Sequence, residues 1–423
     1  MTTSQNFQAS NETPSTAESV HVARQPVFDV DMQVWGYELL FRHSAQCSAA
    51  MIEDGSVATS RVMMDGFSLA EEWLSPNQKV LINYPEDMLI QGMPRALPSG
   101  VAVVEILETV HPTPEVLEMC RQLKDEGYAL ALDDFVGEPG FEPLLELADM
   151  VKVDVLGVDK ARLNLILDDL KKYPCTLLAE KVEDLAMFDT CRELGFQLFQ
   201  GYFFSRPQIV AGKKLSSNQI SKLKLLQELG APELDLEQIS RIIQADVSLS
   251  YRLLRYINSP GIGLPHAVRS IAQAVNLLGQ LKVAAWLRVL ILADMNPAPH
   301  AGELLFFSLQ RARFLEMLNT LNRAAPLSPD SMFLFGLFSS LDALLSQPMQ
   351  DIVGRLSLEP RVRKALLGDD PELQTWLDLA LASESGQWGL AEKTLALLGI
   401  AQPDAARTHN EATAWAKNFL VAT

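Results

Sequence analysis

The sequence predicts an α/β domain followed by an all-α domain, namely an irregular TIM-like (βα) barrel and then a purely helical region. Three observations carry this prediction. The chain has 423 residues, 48% of them hydrophobic, which is enough for two domains with their own cores. Short apolar runs alternate with amphipathic helical stretches in the first half. From about residue 210 onward, only helical patterns separated by clear breaks occur.

Eight short apolar runs are the predicted strands of the barrel. They comprise residues 21–28, 35–41, 79–84, 101–107, 129–135, 150–155, 176–182 and 198–204. Amphipathic segments at 114–126, 160–172 and 184–194 separate the later strands, so these should pair in parallel with helices outside. The first two strands lie so close in sequence that we expect an antiparallel hairpin, which makes the start of the barrel irregular.

Changes in composition and helix-capping residues set the expected domain boundaries. Residues 1–19 are rich in polar side chains and predict a disordered tail, residues 20–208 the barrel, and residues 209–423 the helical domain. In the helical half, Asp235 is a predicted N-cap and Gly279 a predicted C-cap. The apolar segments 283–293 and 334–345 are predicted core helices.

The formal net charge of −18 limits the partners of this chain. A nucleic-acid duplex and an anionic membrane both require a basic face, so neither is expected to bind. A small anionic ligand could still bind if metal ions or local cations hold it. The sequence has no secretion signal and no apolar run long enough to span a bilayer, so we expect a cytoplasmic protein.

Polar side chains recur near the C-terminal ends of the predicted strands. They are Glu38, Asn83, Glu105, Asp133, Asp134, Lys152, Asp154, Glu180 and Gln200. In a βα barrel these strand ends converge on one face, where active sites form. Carboxylates gathered there repel one another unless cations lie between them, and oxygen ligands favour Mg²⁺, Mn²⁺ or Ca²⁺. A lysine among them can orient or deprotonate a water, and two metals with an activated water suit phosphodiester hydrolysis.

Each of these residues also has an ordinary structural interpretation. A single acid at a strand end is most often a helix N-cap or a solvated loop residue. This interpretation applies to Asp134 in particular, because adjacent residues of a strand point to opposite faces and Asp133 already points to the shared site. Glu108 and Glu183 fit the first turn of a helix, and Asp154 fits a role in stabilising the following turn. The recurrence over seven strands is what favours a shared site.

At these residues the chain resembles the EAL family of cyclic di-GMP phosphodiesterases, from about residue 21 to 207. The motifs that carry the resemblance are Glu38-Leu39-Leu40-Phe41-Arg42, the strand ending at Asn83, Glu105-Ile106-Leu107-Glu108, Asp133-Asp134-Phe135-Val136, Lys152-Val153-Asp154, residues 179–183 for the family's Ala-Glu-Gly-Val-Glu, and Gln200-Gly201-Tyr202. Their order and approximate spacing follow the family pattern throughout.

The resemblance implies a role for each matched residue. It implies the metal ligands Glu38, Asn83, Glu105, Asp133 and Asp134, for Mg²⁺ or Mn²⁺. It implies that Lys152 holds or activates the attacking water and that Glu180 completes the metal environment. Gln200 would line the substrate site, and Arg42 would contact a phosphate of cyclic di-GMP. One departure is the loop at 136–143, in which Val136 and two prolines replace the family's glycine-rich sequence.

The helical half resembles the HDOD domain, a relative of the HD phosphohydrolases. The resemblance rests on residues 239–246, 249–259, 271–279 and 333–345. His266, His300 and His409 are not followed by aspartate, so we expect surface histidines and no metal-dependent catalysis in this half. Together the two halves resemble the bacterial EAL–HDOD signalling proteins, in which the helical domain would bind a protein partner; a homodimer stays open.

Two functions remain open at this point. In the first, a divergent EAL domain with little or no activity, able to bind metal or cyclic di-GMP or neither, is coupled to an HDOD output domain. In the second, the barrel is an active Mg²⁺- or Mn²⁺-dependent phosphodiesterase that opens cyclic di-GMP to linear pGpG. The altered loop favours the first and the nearly complete ligand set favours the second.

Overall fold

The structure is a computed structural model of this chain. It describes residues 22–41, 74–75, 77–203, 226, 229, 236–244, 247–258, 262, 268–293, 301–322, 326–345, 347–354, 356 and 358–422. The predicted tail, Arg42, the predicted boundary at 208–209, Asp235, His266 and His300 lie outside the described residues.

Eight strands form a closed barrel in sequence order. They are β1 (Val22–Asp29), β2 (Val34–Phe41), β3 (Lys79–Tyr84), β4 (Ala102–Ile106), β5 (Ala129–Leu132), β6 (Met150–Asp154), β7 (Thr176–Glu180) and β8 (Leu198–Gln200). The strand β1 is antiparallel to both of its neighbours, β2 and β8, and all other pairs are parallel. The predicted irregular barrel, with its opening hairpin, is therefore confirmed.

The hairpin between β1 and β2 has a local cause. The carboxylate of Asp29 accepts hydrogen bonds of 2.9 Å from the backbone nitrogens of Asp31 and Gln33. Such a side chain fixes a tight turn by replacing backbone partners. Met32 completes the reversal with a left-handed φ of 58°.

Helices lie outside the barrel, as predicted. They are α1 (Glu86–Ile90), a 3₁₀ turn (Met93–Ala96), α2 (Pro114–Asp125), α3 (Glu142–Leu145), α4 (Lys160–Leu170) and α5 (Leu185–Glu193). The longer ones begin at side-chain N-caps: Thr113, Asp159 and Asp184 each accept a hydrogen bond from the backbone nitrogen three residues later.

The floor of the barrel interior is apolar. Six strands contribute Leu81, Val103, Ala131, Met150, Leu178 and Leu198, and β1 adds Val27. Residues two apart on a strand point to the same face, so the next inward position on each of those six strands lies directly above this layer. That position is held by Asn83, Glu105, Asp133, Lys152, Glu180 and Gln200. The barrel therefore has a polar layer above an apolar floor.

The remaining described elements are helical. They are α6 (Leu236–Gln244), α7 (Val247–Ile257), α8 (Ile271–Leu278), α9 (Gln280–Ala293), α10 (Ala301–Leu321), α11 (Pro329–Phe338), α12 (Leu341–Leu345), α13 (Met349–Val353), α14 (Pro360–Leu366), α15 (Pro371–Glu384), α16 (Trp388–Leu398) and α17 (Gln402–Ala422). No single helix of the described residues is long and apolar enough to cross a membrane; α8 and part of α9 reach that composition only together, bent by 113°.

The predicted C-cap at Gly279 is confirmed by its φ of 78° after α8. Two other predictions for the helical half were wrong. The segment predicted as one helix over 334–345 is divided at Ser339 and Ser340, whose hydroxyls accept hydrogen bonds from the guanidinium of Arg311. His409 is not on the surface: it is 6% exposed, next to Gln310 and edge-on to Phe314.

The helical half covers the outer face of β1 and β2. The guanidinium of Arg24 stacks on the rings of Tyr37 and Phe306, at 4.4 and 3.8 Å from their centroids. Glu303, in the first turn of α10, pairs with Arg24. Helix α10 therefore lies where a barrel helix would otherwise cover these strands.

Candidate metal centre

The polar layer brings seven of the sequence-predicted residues into contact with one another. The ammonium of Lys152 lies at its centre, with the side chain 1% exposed. Lys152 Nζ is 3.3 Å from Glu38 Oε2, 2.9 Å from Asp133 Oδ1 and 2.8 Å from Glu180 Oε1. It also donates to Glu105 Oε1. One buried cation thus contacts four carboxylates, from β2, β4, β7 and the residue that directly follows β5.

Two amides extend this network. Asn83 Nδ2 donates to Glu38 Oε1 at 2.9 Å, and Gln200 Nε2 donates to Glu38 Oε2 at 2.7 Å. Both amides therefore direct their NH₂ groups at Glu38 and their carbonyl oxygens elsewhere. The carboxylate of Glu38 is in this way fixed by groups from strands β3, β6 and β8.

Burial and mutual repulsion make this cluster costly without further cations. Burial, with the charges of Glu38 and Asp133, raises the pKa of Glu105 well above its usual range. Burial also raises the pKa of Glu180 to about 8. For Lys152, burial opposes the charge, but the four carboxylates around it raise its pKa well above the ordinary value. The lysine is therefore protonated, and burial disfavours the ionised forms of Glu105 and Glu180.

Several buried oxygens of the site have no hydrogen-bond partner among the described residues. They are Asn83 Oδ1, Glu105 Oε2, Asp134 Oδ1, Glu180 Oε2 and Gln200 Oε1. Oxygens of Asp133, Asp134 and Glu180 also lie within 4.8 Å of one another. Buried polar atoms are rarely left unpaired in proteins, and oxygen donors are the ligands of Mg²⁺, Mn²⁺ and Ca²⁺. The residues present therefore fit a hard divalent cation.

Asp134 joins this group because the backbone leaves the strand at that residue. Strand β5 ends at Leu132, three residues sooner than predicted, and Asp134 has a left-handed φ of 41°. Asp133 and Phe135 still pair through their nitrogens with Ile106 O and Lys152 O. The alternation of a regular strand is therefore broken, and both aspartates reach the same site.

A cavity of about 300 Å³ opens beside the acidic group. Its lining includes Asp133, Asp134, Asp154, Glu108 and the loop residues Val136, Glu138 and Phe141. The loop that departs from the family sequence therefore forms one wall of the cavity. The carbonyl of Val136 accepts a hydrogen bond from Arg162 of α4, which holds this wall against the outer helix.

Sequence reasoning missed two features of the site. Lys181 pairs with Asp154, and its Nζ is 3.7 Å from Asp134 Oδ1. The available signal was a charged residue at the glycine of the matched motif. The contact of Tyr37 and Arg24 with Glu303 was also missed, and only the polar residues inside two apolar strands could have indicated it. Asp154 does stabilise the next turn, since Leu156 N donates to it at 2.8 Å.

Family models match both halves of the chain. A model of the EAL domain matches residues 94–207, and a model of the HDOD domain matches residues 219–349. Glu38 and Asn83 precede the part that the EAL model matches. The two matched regions do not overlap and follow the predicted order of the domains.

Two relatives extend over nearly the whole chain. The uncharacterised protein YuxH of Bacillus subtilis is 34% identical over 411 residues, 95% of this chain and 99% of the relative. Cyclic di-GMP phosphodiesterase CdgJ of Vibrio cholerae is 34% identical over 411 residues, 96% of this chain and 94% of the relative.

Solved structures of EAL proteins are similar to part of the chain. A standalone EAL protein from Vibrio cholerae O395, bound to c-di-GMP, is 24% identical at a TM-score of 0.37 and covers 45% of this chain and 93% of that chain. A manganese and cyclic di-GMP complex of BlrP1 from Klebsiella pneumoniae is 24% identical at a TM-score of 0.37, covering 45% and 57%.

Proposed function

The chain belongs to the family of proteins that join an EAL domain to an HDOD domain, and on that premise we propose that its barrel hydrolyses cyclic di-GMP with the help of divalent cations. One observation carries the proposal. Buried oxygens from β3, β4, β7 and β8 and the end of β5 converge above the apolar floor and have no hydrogen-bond partner among the described residues. A set of donors so arranged is suited to bind a cation rather than to stabilise the fold.

The residues of the chain have distinct roles in this proposal. Glu38, Asn83, Glu105, Asp133 and Asp134 would hold Mg²⁺ or Mn²⁺, with Glu180 completing the donor set. Such bound ions polarise a phosphate oxygen and lower the pKa of a water. The cavity beside Asp133 and Asp134 would receive the scissile phosphate. Hydrolysis adds water across one phosphodiester linkage and leaves linear pGpG.

Whether Lys152 can donate or accept a proton depends on the charge around it. In the structure the four carboxylates keep it protonated, so that it can donate to a water or phosphate oxygen but cannot accept a proton. Cation binding by these carboxylates would neutralise the negative charge that stabilises the protonated lysine, and burial alone lowers the pKa of a lysine. Lys152 could then accept a proton from the attacking water. Gln200, fixed on Glu38, would line the site beside it.

A receptor without turnover is the second candidate, and two observations favour it. A single ammonium already contacts four carboxylates and compensates part of their charge in the place of a metal. The cavity wall is formed by the divergent loop, and small displacements of reacting groups reduce rates strongly. In either case we propose that the HDOD half binds a protein partner and transmits the signal.

The test is hydrolysis by the purified full chain. Cyclic di-GMP would be incubated with Mn²⁺ or Mg²⁺ and wild-type protein, Glu38→Ala, Lys152→Ala, and Glu118→Ala as a control on the exposed face of α2. Linear product from the wild type and the control, but not from the two site variants, would establish the enzyme. Tight calorimetric binding without product would establish a receptor, and absence of both would leave the adaptor role of the helical half.

A further inference from the structure

Lys181 stands at an unusual place at the edge of the metal centre. It directly follows Glu180 at the end of β7, and its backbone is left-handed with a φ of 56°. Residues with a Cβ avoid this conformation, and the matched family motif has glycine at this position. Strained residues of this kind persist where the surrounding structure fixes them, and they concentrate at functional sites.

The ends of three consecutive strands hold the lysine. Lys181, directly after β7, pairs with Asp154 Oδ2 at the end of β6, and its Nζ is 3.7 Å from Oδ1 of Asp134, which follows β5. Asp154 is fixed in turn, because its other carboxylate oxygen accepts a hydrogen bond from Leu156 N. The ammonium is therefore held beside Asp134 while remaining about half exposed.

The carboxylate of Asp134 thus lies between Lys181 and the other oxygens of the metal centre. Its Oδ1 is buried, forms an ion pair but no hydrogen bond with Lys181, and belongs to the oxygen group shared with Asp133 and Glu180. An ammonium about 4 Å from a ligand oxygen attracts the carboxylate and repels a divalent ion bound to it. The repulsion is only partly screened, because one of the two charges would lie inside the site.

We propose that Lys181 lowers the cation affinity of the metal centre: its ammonium competes with a divalent cation for Asp134 and weakens binding of that cation. This inference rests on the proposed function, since it presupposes that the acidic group binds a cation. A divalent cation held by Asp133, Asp134 and Glu180 would therefore bind more weakly than it would beside an uncharged side chain at position 181.

The test measures Mn²⁺ binding to the full-length protein, without substrate, by calorimetry and by the electron paramagnetic resonance signal of free Mn²⁺. Lys181→Gln removes the charge but keeps a Cβ at the strained position, and Lys181→Arg keeps the charge. Lys172→Gln is the matched control, because Lys172 is also an exposed lysine paired with an aspartate but precedes β7, at the end opposite Glu180.

We expect Lys181→Gln to tighten Mn²⁺ binding about three- to tenfold, whereas Lys181→Arg and Lys172→Gln retain the wild-type affinity. Equal affinity in wild type and Lys181→Gln would overturn this inference and leave the metal centre intact. Tighter binding in Lys172→Gln as well would also overturn it, since the effect would then be one of net charge. If neither wild type nor Lys181→Gln bound Mn²⁺, the proposed function itself would fail, and this inference with it.

Discussion

Tyr37 and Glu303 join the two halves of the chain through a hydrogen bond of 2.7 Å from the phenol to the carboxylate. The other oxygen of Glu303 is 3.3 Å from Arg24 Nη2, and all three side chains are largely buried. Tyr37 directly precedes Glu38, the carboxylate that receives both amides of the metal centre. Helix α10 therefore contacts the residue that directly precedes Glu38 of the metal centre.

The first prediction concerns the charge of Glu303. Glu303→Gln removes a carboxylate that pairs with the buried guanidinium of Arg24, and breaking such a pair from one side costs about 3–5 kcal/mol. We expect that loss in the free energy of unfolding, measured by urea titration at neutral pH. Tyr37→Phe removes only a neutral donor and should cost about 1 kcal/mol. A Glu303→Gln protein as stable as the wild type would show that the pair adds nothing to the fold.

The second prediction concerns Lys152 as the internal cation of the site. Lys152→Met keeps the length of the side chain but leaves four carboxylates without their shared partner. We expect the metal-free variant to lose about 3–5 kcal/mol of stability, because buried charges are then uncompensated. Saturating Mn²⁺ should restore much of it and raise the melting temperature more in the variant than in the wild type. An equal shift in both proteins would contradict this role.

The third prediction concerns pH. The folded-state pKa of Glu180 is raised from 4.5 to about 8, so the folded protein holds a proton that the unfolded chain releases in this window. Stability of the metal-free protein should therefore fall as the pH rises from about 5 to 8. Metal binding requires the ionised form, so Mn²⁺ affinity should rise by about tenfold per pH unit for each displaced proton. Calorimetry in buffers of different ionisation enthalpy would count the released protons; none released at pH 7 would contradict the prediction.

The fourth prediction concerns the packing of α11 against α10. A Cβ added at Gly336 would lie 2.6 Å from Ala312 Cα, a backbone atom that cannot move aside alone. Gly336→Ala should therefore lower the free energy of unfolding by about 1–3 kcal/mol. Gly302→Ala is the control, because a Cβ there meets no atom within 4 Å and should change stability by less than about 1 kcal/mol. Similar losses in both variants would exclude a steric cause.

The sequence predicted the polar layer because a strand alternates its faces with a period of two. Glu105 and Lys152 each follow an inward apolar residue by two positions, so their direction is a local property. Asp134 could not be placed this way, since its direction depends on a left-handed backbone. The ion pair of Arg24 with Glu303 joins residues 279 positions apart, and no local pattern predicts such a contact. The hydroxyl of Ser339, at the break between α11 and α12, likewise contacts Arg311 of another helix.

The cover that α10 gives to β1 and β2 has a consequence for how such chains can change in evolution. A barrel transferred by recombination to another output domain would present Arg24 and Tyr37 to a surface not shaped for them. The incoming domain would need an acid opposite Arg24 and an aromatic ring beside it before the transfer could yield a stable fold. Positions 24, 37, 303 and 306 are therefore expected to be inherited together and to vary together, although the chain separates them into two domains.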